Sequence, residues 1–283
     1  MKKVAVIDIG SNSVRLMLTG GGIVQKFVSM TQLGKGLHDT GRLQNQNMQD
    51  SLQAITEFIQ KADGYSVYCF ATEAVRSAEN GKDFCKAVKE QTGLIVDILT
   101  PEEEARAGYL GACGKTRNAT VLDVGGASTE IITGENGKIL SATSIPIGAV
   151  RLFDRCGEDI NLLNEVIKNA LPKDIILSNN LIGIGGTITS IGAMITSPMK
   201  YLREKVHGQV LSACDIEKER AKLLALSVEE RAQTYPVLHL KRARVMVSGA
   251  SVIIGVMKEY KINNITVSDS DNAEGYLLLR YEN

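Results

Sequence analysis

The sequence predicts an α/β fold of two duplicated lobes around a central cleft, and three observations carry that prediction. The first is the stretch VLDVGGASTEIITGENGKIL at residues 121–140. Val121, Leu122 and Val124 flank Asp123 in a run apolar enough for a buried strand. Gly125 and Gly126 force a tight turn, a second strand covers residues 131–133, and Asn136-Gly137 closes a hairpin. The second observation is that VAVIDIGSNSVRLML repeats the pattern 115 residues earlier. Asp8 matches Asp123, Gly10 matches Gly125, Ser13 matches Ser128, Arg15 matches Glu130 and Leu16 matches Ile131. The third is that later segments recur in the same order: VYCFATEAVRSAEN parallels LIGIGGTITSIGAM, and GLIVDILTPEEEARAGYL parallels NNITVSDSDNAEGYLL. A period this long indicates a duplicated domain rather than a solenoid of short repeats. The lobes are expected at 1–117 and 118–270.

The elements follow from local pattern. Residues 4–19 and 23–32 supply three antiparallel strands. Met48, Leu52, Ile55, Phe58 and Ile59 recur at helical spacing, so residues 45–61 form a helix. Residues 67–71 read as a buried strand, 72–77 as a turn opening a helix, 83–92 as a helix and 94–99 as a strand. Pro101 starts a further helix at a favoured first position. The polar residues 115–118 lie between the repeats and are the expected hinge. The second lobe repeats the order with hairpins up to residue 147 and a helix at 159–171 that Pro172 breaks. Residues 181–184 are the next strand, and 196–209 read as irregular. Residues 215–225 and 228–234 are helical with acidic starts. A long apolar helix spans 243–260, a last strand 265–268 and a closing helix 273–281.

Composition narrows the function classes. The chain has 283 residues, enough for about two domains, with 44% hydrophobic and 23% charged residues, as in a soluble globular protein. Lys+Arg and Asp+Glu both number 32, so the basic surplus of a nucleic-acid-binding protein is absent. The five cysteines show no CxxC pair, which excludes a zinc site or a disulfide framework and suits a reducing cytoplasm. Lys2-Lys3 before an apolar run imitates a signal peptide, but Asp8 interrupts it. No apolar stretch is long enough to span a membrane.

The doubled Asp–Gly hairpin resembles the actin, sugar-kinase and heat-shock-ATPase superfamily, whose RNase H-like lobes close around a phosphorylated ligand. Within it, the chain resembles the exopolyphosphatase and guanosine-pentaphosphate phosphatase family. The matching segments are IDIGSNSVRL, ATEAVRSAEN, EEEARAGYLGA, LDVGGASTEI, SIPIGAVRL, GIGGTITS, RARVMVSGA and AEGYLL, in family order over nearly the whole chain. The resemblance implies that the closing helix, 271–283, returns to the first lobe. It also implies a short form without the helical C-terminal domain of longer relatives.

Asp8 and Asp123 are the metal candidates read from the residues. Each is an acid at the end of a buried strand beside a glycine turn, which suits Mg²⁺ or another divalent cation bound to phosphate. Taken alone, the second stretch reads equally as an ordinary hairpin with a capping Asp; recurrence of the position in both lobes weighs against that. The resemblance adds Glu130 to the metal set. Gly10, Ser11, Asn12 and Ser13, with Gly125, Gly126, Ala127, Ser128 and Thr129, are expected to present backbone N–H and hydroxyl donors to phosphate. The family carries a third glycine where Ala127 stands. Arg15 and Arg76, and with less support Arg151, are candidate phosphate contacts, because a guanidinium offers forked donors and stays charged. Gly185, Gly186 and Thr187 open a helix, where an anion can dock; this loop binds adenosine in the superfamily's kinases. The run Glu102-Glu103-Glu104 reads by itself as a helix start stabilised by its dipole. The resemblance places the catalytic base at Glu104, although Pro101-Glu102 stand where relatives often have a glycine and a polar residue.

These readings imply an exopolyphosphatase that removes the terminal phosphate of inorganic polyphosphate with an activated water and a divalent cation. Guanosine pentaphosphate poses the same chemical problem and is the alternative substrate. A small-molecule kinase and a non-catalytic guanosine-polyphosphate sensor are the rivals from other classes. No nucleic-acid or membrane partner is expected, and the apolar segment 245–257 offers a surface for a homodimer.

Overall fold

The computed structural model describes residues 3–114 and 118–281, so the expected hinge lies mostly outside the described residues. Contacts divide the chain into two units, 1–104 and 105–283.

The first unit opens with an antiparallel meander, β1 (Val4–Ile9), β2 (Val14–Gly20) and β3 (Ile23–Ser29), followed by the short helix α1 (Leu37–Thr40) and α2 (Asn45–Lys61). Next come β4 (Ser66–Ala71), α3 (Glu73–Ser77), α4 (Gly81–Thr92) and β5 (Val96–Ile98). The sheet order is β3-β2-β1-β4-β5, with β4 parallel to β1 and β5 parallel to β4. Ser51, Ala54, Ile55 and Phe58 form the buried stripe of α2, at the spacing a one-faced helix requires. They close over Ile7, Ile9, Leu16 and Phe84 in one apolar core.

Helix α5 (Pro101–Cys113) starts in the first unit and continues in the second. The second unit then repeats the plan with β6 (Ala119–Val124), β7 (Thr129–Glu135) and β8 (Lys138–Ile145). Helices α6 (Ala149–Cys156) and α7 (Ile160–Ala170), strand β9 (Leu181–Ile184) and helix α8 (Gly185–Thr196) follow. After them come α9 (Arg203–Val206), β10 (Val210–Ser212), α10 (Ala213–Leu224), α11 (Val228–Thr234) and α12 (Leu240–Ala243). The chain closes with α13 (Met246–Glu259), β11 (Asn264–Val267) and α14 (Asn272–Tyr281). The sheet order β10-β11-β9-β6-β7-β8 is the first sheet's order with β10 added at an edge. Strand β9 runs parallel to β6 and β11 parallel to β9, as β4 and β5 do in the first unit. The duplication is therefore present in topology as well as in sequence.

Three expectations need correction. The units part within α5 rather than after residue 117, and the closing helix groups with the second unit. The cause is a backbone-to-backbone crossing: a Cβ on Gly275 would lie 1.7 Å from the Ala107 carbonyl oxygen, and one on Gly111 would lie 1.9 Å from that of Asp271. The segment after residue 147 contains α6, which the pattern did not announce. Finally, the apolar helix is no free dimer surface. Met246, Val247, Ile253, Ile254 and Met257 are buried in the unit's own core, against α6, α7, α8 and α10.

Candidate active site

Both hairpins make the same turn. The Gly10 N–H donates to the Ser13 carbonyl at 3.0 Å, and the Gly125 N–H donates to that of Ser128 at 3.0 Å. The segments QLGKGL and PIGAVRL satisfy the carbonyl side of each turn. In the first unit Gln32 and Gly34 donate to Asn12 and Ser11; in the second, Ala149, Val150 and Arg151 donate to Gly125 and Gly126. Gly148 permits that approach, since a Cβ there would sit 2.4 Å from the Gly126 oxygen. With their carbonyls engaged, the turns are left to present N–H groups, the arrangement that receives anions. Ser11, Asn12 and Ala127 are exposed.

The ladder places the side chains. Asp8 pairs with Arg15 across β1–β2, and Asp123 pairs with Glu130 across β6–β7. Arg15 Nε donates to Ser13 Oγ at 3.4 Å, which leaves the Ser13 proton available for a further acceptor. Ser128 behaves oppositely: its hydroxyl donates to Glu130 Oε1 at 2.6 Å. A hydroxyl has one proton, so Ser128 offers a phosphate only its backbone N–H while it holds Glu130. Two predicted donors serve the fold instead. The buried Thr129 hydroxyl donates to the Ile147 carbonyl, and the buried Thr187 hydroxyl to that of Val124 at 2.8 Å.

Gly185 and Gly186 have separate tasks. Gly185 has φ +81°, and a Cβ there would lie 2.2 Å from Asp123 Oδ1; only glycine lets the chain turn into α8 flush against that carboxylate. A Cβ on Gly186 would lie 2.6 Å from Arg242 Nη2, and Arg242 Nη1 donates to Ser190 Oγ at 3.1 Å. Arg242 therefore lays its guanidinium on the first turn of α8. The sequence reading did not single it out, although it stands in the segment RARVMVSGA that carried part of the resemblance.

The acidic run separates into two roles. The Thr100 N–H donates to Glu103 Oε2 at 3.0 Å, and the Glu103 N–H donates to Thr100 Oγ1 at 3.2 Å. This is a capping box, so Glu103 is the helix-start carboxylate. Glu104 turns to Arg76, whose Nη1 lies 3.0 Å from its Oε2 and 2.5 Å from the Leu99 carbonyl. The other Arg76 nitrogen donates to Glu73 at 2.6 Å. The guanidinium predicted to meet phosphate is thus held between two carboxylates, and it orients Glu104. Behind Asp8, burial pushes the Cys69 thiol far up, with Cys85 and Asp8 adding to the effect; a protonated buried thiol is no nucleophile.

Among the described residues no three His, Cys, Asp or Glu side chains gather into a metal cluster. Asp123 and Glu130 nonetheless form a like-charged pair at one ladder position. Such pairs repel when directly opposite, and a cation relieves the repulsion. Their hard oxygens fit Mg²⁺, which takes one or two carboxylates and fills its shell with water and substrate oxygens. Within the first unit the matching Asp8 is paired with Arg15 instead.

Known proteins resemble this chain over nearly its whole length. Exopolyphosphatase 2 of Mycobacterium tuberculosis is 27% identical over 315 residues, covering 98% of this chain and 98% of that protein. The guanosine-5'-triphosphate,3'-diphosphate pyrophosphatase of Photobacterium profundum is 30% identical over 96% of this chain and 58% of its own length. A crystal structure of the Aquifex aeolicus Ppx/GppA phosphatase superposes with a TM-score of 0.81 at 29% identity, covering 99% of this chain and 100% of that one. The likeness bears out the two-lobed, actin-like α/β fold. With its doubled hairpin intact and residues 4–282 matching the family description, the chain belongs to the Ppx/GppA phosphatase family.

Proposed function

We propose that this protein is an exopolyphosphatase: a phosphohydrolase that cleaves the terminal phosphoanhydride bond of inorganic polyphosphate, dependent on Mg²⁺ or a similar divalent cation. The observation that carries the reading is the division of labour between Glu103 and Glu104. Glu103 closes the capping box, whereas Glu104 is oriented by Arg76 and would accept a proton from water as that water attacks the terminal phosphorus. The new bond joins the water oxygen to phosphorus, the bridging P–O bond breaks, and the shortened chain leaves. The first turn, with Ser13 and Arg15, donates to phosphate oxygens. Within the second unit the turn offers its own backbone N–H groups to an anion, and Arg242 and the Gly186 N–H stand at the start of α8. Asp123 and Glu130 would hold the cation, which when bound neutralises charge on the transferring phosphoryl group. Five cysteines that form no disulfide among the described residues support a cytoplasmic setting.

Guanosine pentaphosphate is the second reading, favoured by the similarity to the Photobacterium enzyme named for that class of nucleotide. Phosphate release from long-chain polyphosphate, tripolyphosphate and guanosine pentaphosphate, assayed side by side with Mg²⁺, separates the two. Polyphosphate is expected to be turned over fastest, with activity lost in excess EDTA and restored by Mg²⁺. Full activity in excess chelator would remove the cation from the reading, and turnover of guanosine pentaphosphate alone would exchange the substrate.

A further inference from the structure

We infer that Ser144 is a positioning residue that fixes Glu130 for cation binding, an inference that rests on the cation role proposed above for Asp123 and Glu130. Ser144 lies on the edge strand β8, opposite Glu130 in the β7–β8 ladder, while Asp123 lies opposite Glu130 in the β6–β7 ladder. Asp123, Glu130 and Ser144 therefore form one transverse row across three strands. Ser144 Oγ donates to Glu130 Oε1 at 2.9 Å, and Ser128 Oγ donates to the same oxygen at 2.6 Å. Among the described residues these are the hydrogen bonds of the Glu130 carboxylate, so Oε2 is left without one. Two donors on one oxygen fix the plane of the carboxylate and keep the other oxygen for a ligand. The Ser128 donor comes from within the turn itself. The Ser144 donor comes from a different strand, and it ties the carboxylate to the sheet.

The first unit shows what the row is without that device. There the corresponding row is Asp8, Arg15 and Val28. Val28 has no donor, its side chain is exposed, and the central residue is a cation that its Asp neighbour already balances. A hydroxyl at the third position accompanies only the row whose two acids oppose each other.

The test is calorimetric titration of Mg²⁺ into the full-length protein without substrate, for wild type, Ser144→Ala, Ser144→Thr and Val28→Ala. Groups that orient a metal ligand typically matter by 10–100-fold in affinity, so Ser144→Ala is expected to weaken Mg²⁺ binding by about 10-fold. Ser144→Thr, which keeps the hydroxyl, should restore most of it, and Val28→Ala should bind as wild type does. At saturating Mg²⁺ the KM for polyphosphate of Ser144→Ala should match wild type. Unchanged Mg²⁺ affinity in Ser144→Ala overturns the inference and leaves the proposed function standing. A loss that Ser144→Thr fails to restore, accompanied by a lower Tm, overturns it in favour of a role in strand packing. A wild-type protein without Mg²⁺ affinity overturns the inference together with the cation role it rests on.

Discussion

The two hairpins of this protein share a backbone and differ in charge. In each, a glycine N–H closes the turn onto the carbonyl of a serine three residues on, and an aspartate is the last residue but one of the first strand. The row that crosses the strands at that aspartate reads Asp8, Arg15 and Val28 in the first unit and Asp123, Glu130 and Ser144 in the second. Even the turn serines reverse their hydrogen bonds: Ser13 accepts from Arg15, and Ser128 donates to Glu130. Duplication thus retained the part of the structure that sterics dictates, the Cβ-free turn. It left free the alternating side chains, whose charge decides which ion is attracted. One copy has a cationic residue at the centre of its row and the other an anionic one.

The largest expected effect sets the scale against which that contrast is read. Glu104→Gln keeps the shape of α5 and removes the proposed base, and it should lower kcat by about 10²–10⁴-fold with little change in KM or in Mg²⁺ requirement. Steady-state hydrolysis of polyphosphate measures this, with Tm values to exclude misfolding. Near-normal turnover by a folded variant would return Glu104 to the helix-start role that Glu103 fills.

The contrast between the hairpins is broken most directly by neutralising each central residue. Glu130→Gln should raise the Mg²⁺ concentration needed for half-maximal activity by roughly 10-fold or more while leaving KM at saturating Mg²⁺ nearly unchanged. Arg15→Gln should do the reverse, raising KM for polyphosphate by about 10–100-fold, the worth of a charge-assisted hydrogen bond, at an unaltered Mg²⁺ requirement. If both variants shift the same parameter, the opposed polarity is not functional.

A smaller effect separates the strand ends beside the two aspartates. Ala71 follows Phe70, the β4 partner of Asp8, whereas Gly185 follows Ile184, the β9 partner of Asp123. Gly185→Ala places a side chain at positive φ and against the Asp123 carboxylate. It should cost at least about 1–2 kcal/mol of stability and also weaken Mg²⁺ binding. Ala71→Gly should cost only about 0.5–1 kcal/mol with no effect on Mg²⁺. Denaturant melts with Mg²⁺ titrations compare the two, and equal Mg²⁺ affinity would show that Gly185 serves the turn alone.

Much of the fold was legible because its signals are short-range. Helix α2 spans residues 45–61 as the apolar spacing predicts, and α5 begins at Pro101. The helices expected at 215–225 and 228–234 are closed by capping boxes at Ser212/Asp215 and Ser227/Glu230. Helix α6 escaped notice because Gly148 offers no capping side chain and the helix has only eight residues. Its start is held instead by the Gly125 and Gly126 carbonyls, which lie far back along the chain. Strand β10 is three residues long and exists through its pairing with β11.

By itself the sequence determined the duplication, the two Asp–Gly turns and the equivalence of Arg15 and Glu130 within the repeat. Those features rest on glycine sterics and on the two-residue period of a strand, both of which are local. Only the tertiary structure decided which partner each carboxylate of Glu103 and Glu104 meets. Glu103 and Glu104 are alike in type and adjacent in sequence, but one reaches back to Thr100 while the other meets Arg76, 28 residues away. It also decided that Thr129 and Thr187 serve the fold, that Arg242 lies on the start of α8, and that Ser144 holds Glu130. Each of these depends on a hydrogen bond or close packing between residues distant in sequence, and no local pattern encodes such a partner.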